Sequence, residues 1–386
     1  MFKKKLGTKF LIKIIKKWAK FKTAAWMTKF SPSSKILGPP KGYYTDIDEY
    51  LNQHPKAGTK RLLFDEKATD QQENFVRHLV SITKGRINLN PWSFITKEDK
   101  LLFKESSCYG PAPEDHWVFR SIKLPKVHEL AGKTLFLSSR SNYWHLLADE
   151  LCDLSLLTKS GIKLNQFDHI VFEKSHFNAG KELQEIFGLN QVNQVSLQRH
   201  LHVECEELFF FTGTFCLSKD ALSLVQYKIK SSLKQSTSKS GKTSKRIIIS
   251  RGSSTTRRWL NENECMQLLD ILGFKLIDPS NLSLAQQVEA FSNAEIILGP
   301  HGAGLTNIMF CNPGTKVIEI RSQKQGGEYS SATCYEELSR IMGVKHHTFQ
   351  CMSIERKELK GRSIEDADLV PDPMKLRNFI CEKVLI

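Results

Sequence analysis

EIILGPHGAGLTNIMFCNPGTKVIEI, residues 295–320, is the stretch from which the rest of the chain is read. Its apolar opening, Ile296-Ile297-Leu298, is too short for a helix and is closed by glycine, the mark of a buried strand in a parallel sheet. Gly299-Pro300-His301-Gly302-Ala303-Gly304 forms the turn and Leu305 to Phe310 the expected helix. Asn312-Pro313-Gly314 breaks that helix, and Lys316 to Ile320 reads as the next strand. Glycines at a strand-to-helix turn let backbone approach a ligand closely, and N–H groups at a helix start point at an anion, a diphosphate being the obvious one. The bland alternative is that the glycines only permit a tight turn. His301 weighs against it, because a proton carrier within such a turn has little packing purpose.

The chain has 386 residues, 40% hydrophobic and 25% charged, which is globular and long enough for two domains. Nine cysteines occur singly, with no C-x-x-C pair, no signal-peptide core and no apolar run of transmembrane length. A reducing cytoplasm is the expected compartment. The sequon at Asn281-Leu282-Ser283 is a triplet that arises by chance. Of the formal charge of +15, ten lysines and no acid fall in residues 1–30, leaving about +5 for the rest. That argues against a nucleic-acid-binding body and for one basic appendage. Residues 6–21 plot as an amphipathic helix, with Phe10, Leu11, Ile14, Ile15, Trp18 and Phe21 opposite Lys9, Lys13, Lys16, Lys17 and Lys20. The expectation is a helix lying on an anionic membrane surface, peripheral on the cytoplasmic face. A helix packed on its own domain is the alternative, and a nucleic-acid arm the least favoured.

Residues 31–60 read as an irregular lead-in, and 61–130 give mixed signals with short strands at Arg86–Leu89 and Trp117–Leu124. A strand at Lys133–Leu137 leads into a helix from Tyr143 to Thr158 that puts His145, Asp149 and Asp153 on one face. A strand at 168–173, a helix at 181–187 stopped by Gly188, a strand at 207–211 and a helix at 219–234 continue the alternation. Gln235 to Ser244 is a Ser/Lys linker. Its Gly241-Lys242-Thr243 is a decoy, since a phosphate-binding P-loop would need glycine at Ser236 and a strand before it. Beyond it, Arg246–Ser250 is a strand, and Asn261 with Glu264 forms a capping box for a helix to Leu272. Phe274–Asp278 is a strand and Ser283 with Gln286 a second capping box. After the central strand come a helix at 332–342, a strand at 344–349 and a last helix from Met374. A repeated βα pattern makes a doubly wound domain.

Two places carry chemistry. Arg251 ends an apolar strand, where such sheets bind ligands, with Arg257 and Arg258 in the loop that follows. A guanidinium fork suits a diphosphate, and the structural alternative is an ion pair across the domain. His145 and Asp149 begin just after a strand, where α/β enzymes place catalytic groups, the alternative being a solvated helix face.

The run Gly299, His301, Gly302, Ala303, Gly304, Leu305, Thr306, Asn307, Pro313, Gly314, Val317, Ile318 and Glu319 resembles the C-terminal signature of glycosyltransferase family 61. Asn142-Tyr143-Trp144-His145 with Asp149-Glu150 resembles its N-terminal block, although Leu146 stands where an aromatic is usual. Ser250-Arg251, Arg258 and Asn261-Glu262-Asn263-Glu264 resemble its middle block. The three occur in order over roughly residues 135–321, and residues 1–130 lie outside the resemblance. It implies a GT-B architecture, two Rossmann-like doubly wound domains facing a cleft, with the donor nucleotide-sugar on the C-terminal one. The domains are then 1–30 as the basic helix, 31–235 as the acceptor domain, 236–245 as linker and 246–386 as the nucleotide-sugar domain.

The resemblance also implies an inverting, metal-independent transfer to a glycan or lipid-linked acceptor, with no cofactor beyond the co-substrate. A UDP-sugar donor and a capsule- or lipopolysaccharide-type pathway are the expectation. Metal-dependent glycosyltransferases use Asp-x-Asp, and the two such triplets, Asp46-Ile47-Asp48 and Asp366-Ala367-Asp368, lie in polar end segments. The His346-His347 pair cannot put both rings on one ion from a strand. Inversion needs a general base, for which Asp149 is the first choice, with His145 orienting it or taking its place. Arg251, Arg258, His301 and the Gly302-Ala303-Gly304 turn are expected to hold the donor. Glu319 accepts from ribose hydroxyls or forms a structural salt bridge. An acyl hydrolase is excluded by the lack of a G-x-S-x-G elbow. The remaining rival is a non-catalytic nucleotide-sugar-binding or membrane scaffold protein.

Overall fold

The computed structural model describes residues 44–66, 75–89, 92–106, 116, 118, 124–137, 142–196, 202–213, 217–234, 244–251, 254–322, 333–354 and 367–385. The helix expected at 6–21 and its membrane docking lie outside them, as does most of the strand expected at 117–124 and of the Ser/Lys linker. The chain divides into two compact units, but not at that linker. One takes residues 1–138, 157–173 and 191–215, the other 139–156, 174–190 and 216–386. The helices Asn178–Ile186 and Lys219–Lys234, expected in the N-terminal domain, thus belong with the C-terminal sheet. The reason is packing. Gln226 Nε2 donates to the Met309 carbonyl at 2.6 Å, Glu182 accepts from the Leu284 N–H at 3.2 Å, and Leu222, Val225 and Ile229 are buried. A helix joins the surface that covers its apolar face, whichever strand precedes it.

The first unit is built on a sheet of ten strands among the described residues. They are β1 (Tyr44–Thr45), β2 (Gly58–Glu66), β3 (Phe75–Thr83), β4 (Arg86–Leu89), β5 (Trp92–Ile95), β6 (Leu101–Leu102), β7 (Val127–Phe136), β8 (His169–Phe172), β9 (Gln194–Ser196) and β10 (His202–Gly213). β10, β7, β8 and β9 run parallel in that order, and at the far edge β1 pairs parallel with β6. On the other side of β10, β3 and β4 pair antiparallel with its successive halves, β2 extends β3 and β5 extends β4. This unit is therefore a mixed sheet and not a doubly wound one, which corrects the expectation of two such domains. The links between β3, β4, β5 and β6 are only a few residues, whereas a parallel crossover needs a dozen or more. The Asp46-Ile47-Asp48 triplet has structural work here. Asp46 caps the helix Ile47–Gln53 through the Glu49 N–H at 2.8 Å and pairs with Lys104, and Asp48 pairs with Lys60.

The second unit carries β11 (Arg246–Ile249), β12 (Phe274–Ile277), β13 (Ile296–Pro300), β14 (Lys316–Ser322), β15 (Lys345–Ile354) and β16 (Asp368–Val370), in the order β12-β11-β13-β14-β15-β16. The first five are parallel, and β16 closes one edge antiparallel. Ile248, Leu298, Ile318 and Ile320 face a core shared with the helices Glu262–Leu269 and Pro373–Lys383. Cover on both faces explains the near-continuous apolar runs of β11, β13 and β14. The chain leaves β11 toward β12 and then crosses back to β13 on the far side. The topological switch point of this doubly wound sheet therefore falls between β11 and β13, where ligands bind at the carboxyl ends of the strands. The Ser283 and Gln286 capping box is present. The one expected at Asn261 is not, because Asn261 Nδ2 donates to the Pro371 carbonyl at 2.8 Å instead.

That contact belongs to a seam between residues 258–261 and the edge strand β16. Leu369 N–H donates to the Arg258 carbonyl at 2.8 Å and Leu260 N–H to the Leu369 carbonyl at 3.0 Å. Asp368, 0% exposed, accepts from Arg258 through Nε at 3.0 Å, Nη2 at 2.6 Å and the backbone N–H at 2.9 Å. The guanidinium expected on the donor is thus engaged by Asp368, a partner that the second Asp-x-Asp triplet supplies. Asp368→Asn is expected to cost about 1–3 kcal/mol, the range for leaving a buried polar group unsatisfied. Urea denaturation of the variant against the wild type checks it.

Candidate functional site

Arg251 follows β11 and His301 follows β13, so the two sides of the switch point carry the expected pair. Arg251 Nη1 donates to the His301 carbonyl at 3.4 Å, and Nη2 to Ser254 Oγ at 2.8 Å and the Thr256 carbonyl at 3.1 Å. These bonds tie the guanidinium to the loop. Gly302 is what admits it, since a Cβ there would sit 1.6 Å from Nη1. A Cβ on Gly304 would come 2.9 Å from Ile249 Cγ2, so that glycine lets the turn close over the end of β11. Ala303 then opens a 3-10 helix, Ala303–Phe310, in place of the expected α-helix. Every residue of it from Leu305 to Phe310 is buried.

Glu319 on β14 is wholly buried. Its Oε1 accepts from His301 Nδ1 at 2.5 Å, and its Oε2 from His346 Nε2 at 3.0 Å and Arg321 Nη2 at 2.8 Å. The salt-bridge alternative is the one the structure adopts, because a buried carboxylate needs several donors to stay ionised. Burial pushes its pKa upward, but the bonds from His301 and His346 and the charge of Arg321 prevail and hold it at about 2. His346 had a readable signal. Neighbouring strand residues face opposite sides, and β15 lies beside β14, so one of His346 and His347 had to share the face of Glu319.

The helix after β7 departs from its expected form. It starts as an α turn, Tyr143–His145, continues as a π turn, Leu146–Glu150, and returns to α over Leu151–Lys159. The extra residue of a π turn rotates everything beyond it by about 100° relative to a continuous helix. Asp153, expected on the line of His145 and Asp149, is accordingly buried. His145 and Asp149 stay together, with Nδ1 and Oδ2 2.7 Å apart and both side chains about a third exposed. Such turns recur at functional sites.

Direct bonds join this segment to the glycine turn. Tyr143 Oη donates to Asn307 Oδ1 at 2.9 Å, and Asn307 Nδ2 donates to Gln287 Oε1 at 3.0 Å and the Gly304 carbonyl at 3.3 Å. Burial raises the Tyr143 pKa well above the usual phenol value, so the hydroxyl remains a donor. Tyr335 sits edge-on to both Trp144 and His301, each pair with ring centroids 5.1 Å apart. Tyr335 lies outside the three motif blocks and has no signal of its own in the sequence. Asp149, His145, Arg251, His301 and the Gly302–Gly304 turn thus belong to one unit. Arg258 and Glu319 serve structure within it. Among the described residues no cluster of three or more His, Cys, Asp or Glu is arranged for a metal ion.

With this geometry in place, residues 143–318 match the family model described as Glycosyltransferase 61. That stretch is a glycosyltransferase 61 domain. The alpha-1,3-arabinosyltransferase XAT3 of Oryza sativa subsp. japonica is 26% identical over 171 residues, covering 43% of this chain and 27% of that protein. The EGF domain-specific O-linked N-acetylglucosamine transferase of Gallus gallus is 29% identical over 110 residues, covering 27% and 19%. The Drosophila melanogaster protein of the same name is 28% identical over 97 residues, covering 24% and 18%. The chain therefore spans about a quarter or less of the length of these relatives.

The depressed Glu319 pKa has a consequence for stability. A carboxyl with a normal value of 4.5 unfolded and about 2 folded stabilises the fold fully above about pH 4.5 and loses that contribution as pH falls toward 2. Stability to urea should therefore decline over this window. In Glu319→Gln, that part of the slope should be absent.

Proposed function

We propose that the protein is an inverting, metal-independent glycosyltransferase that moves a sugar from a nucleotide-sugar, with a UDP-sugar first in line, to a hydroxyl of a glycan acceptor. The observation that carries the reading is the placement of Arg251 and His301 on the two sides of the β11/β13 switch point, where an open α/β sheet takes a phosphorylated ligand. In this reading the second unit is the donor-binding one. The relatives' names, an arabinosyltransferase and an N-acetylglucosamine transferase, support sugar transfer as the reaction class.

In the proposed step the acceptor oxygen attacks the anomeric carbon from the face opposite the nucleotide. Its proton passes to the general base, and the bond from the anomeric carbon to the phosphate oxygen breaks with its electron pair going to the diphosphate. Asp149 is the base, with His145 held against it at 2.7 Å. That short contact equally favours a second form in which Asp149 orients the ring and His145 takes the proton. Arg251 offers donor charge to the departing diphosphate, and His301 a ring nitrogen. Residues 1–30, with their basic face, are proposed to bring the enzyme to a membrane bearing its acceptor.

Three variants test this. Arg251→Ala should weaken binding of uridine diphosphate by ~1.5–3 kcal/mol in calorimetry, the range for hydrogen bonds to charged groups. Unchanged affinity in a folded variant would remove Arg251 from the site.

Asp149→Asn keeps shape and loses the proton acceptor. Turnover should drop by at least ~100-fold with donor affinity nearly intact. Retained activity there, with loss in His145→Ala, would make histidine the base. EDTA in the same assay should leave the rate unaltered, and inhibition reversed by manganese would overturn the metal-independent reading.

A further inference from the structure

His301 has two ring nitrogens, and the structure fixes the state of one of them. Glu319 is wholly buried among donors, and an ionised carboxylate only accepts hydrogen bonds. His301 Nδ1, 2.5 Å from Oε1, must therefore carry a hydrogen. In a neutral imidazole that leaves Nε2 as a bare lone pair. A phosphate oxygen is also an acceptor, so it cannot be bound by Nε2 until that atom is protonated.

We propose that binding of a nucleoside diphosphate at this turn takes up one proton onto His301, with Glu319 and His346 as the positioning residues that make the uptake obligatory. The inference rests on the donor-binding reading above. Glu319 is the fixed counter-ion of the imidazolium that forms. His346, donating to Oε2 at 3.0 Å, and Arg321, at 2.8 Å, keep the carboxylate turned so that Oε1 meets His301. The other charged groups around the ring are cations. Arg251 touches the His301 carbonyl, Arg321 shares Glu319, and Arg257 acts electrostatically on Tyr335, whose ring abuts His301. From the helix Cys334–Ile341, Cys334 and Tyr335 face the same carboxylate, and burial pushes both their pKa values upward, so they stay neutral. An incoming diphosphate adds negative charge beside the ring. Glu319 then neutralises one side of the imidazolium and the ligand the other.

The test is calorimetry of the full chain with uridine, guanosine and cytidine diphosphates at pH 8, each in two buffers of different ionisation enthalpy. The wild type should take up close to one proton per diphosphate bound, and affinity should fall up to about tenfold per pH unit where the free ring is neutral. His301→Gln, which offers an amide donor without titrating, should bind with no uptake at all. Glu319→Gln no longer dictates the tautomer, so its uptake should also shrink toward zero. His346→Gln, which keeps a donor, should retain more affinity than His346→Leu, and equal affinities would remove His346 from the device. Binding by the wild type without proton uptake, or with uptake unchanged in His301→Gln, overturns the proposal and leaves the donor site standing. Failure of all three diphosphates to bind would instead remove the donor reading itself. Neither decisive comparison depends on the Glu319 variant folding.

Discussion

One hydrogen bond, from the Tyr143 hydroxyl to the Asn307 side chain, joins segments 164 positions apart and holds the site in register. Asn307 is fully buried, so each of its polar atoms must find a partner inside the protein. Tyr143 satisfies the oxygen, and Gln287 with the Gly304 carbonyl satisfies the nitrogen. The start of one helix, the body of another and the glycine turn are thereby fixed by a single side chain. The net stabilisation from each such bond is only about 1 kcal/mol, but a buried group left unmatched costs more, so the network rejects other arrangements more strongly than it stabilises this one.

Around that joint the charged groups are divided by backbone geometry. Arg251 and Arg258 are seven residues apart and point to different tasks. The residue between their two environments, Arg257, has a φ of 55°, in the left-handed region that a non-glycine residue adopts at a cost on the order of 1 kcal/mol. Before it, the loop curls so that the Thr256 carbonyl accepts from Arg251. After it, the chain straightens to pair with β16, and Arg258 meets Asp368. A turn of one residue decides which guanidinium faces the glycine loop and which becomes part of the sheet edge.

What could be read from residue order alone follows from where local rules are the stronger ones. The runs RIII at β11 and IIL at β13 are legible because a strand covered on both faces tolerates few polar residues. The Ser283 and Gln286 cap and the helix Lys219–Lys234 are likewise local matters. The Asn261 cap fails because Pro371, 110 positions away, competes for the same side chain. The unit boundary was hidden because a chain can return twice to a neighbouring surface without any change in composition. Glu319 was the closest case. Its two possible roles differ only in whether it is buried, and burial depends on the helix Cys334–Ile341 and on β15.

The π turn shows how these constraints act together. Asn142 caps the helix start through the Trp144 N–H at 2.9 Å, and the Tyr143 bond to Asn307 fixes its rotation. Further on, every residue from Leu151 to Leu157 is buried, which fixes the rotation of the second part independently. Two ends of a helix set by separate contacts need not be in phase. One additional residue in a turn is the smallest correction that a hydrogen-bonded helix can make. That correction falls between His145 and Glu150, with Asp149 inside it. The carboxylate of Asp149 is therefore set by the same tyrosine that fixes the glycine turn, so the His145 and Asp149 pair and the glycine loop share one mechanical reference. Sequence periodicity describes an undisturbed helix and passes over that correction, which arises only when both ends are already anchored.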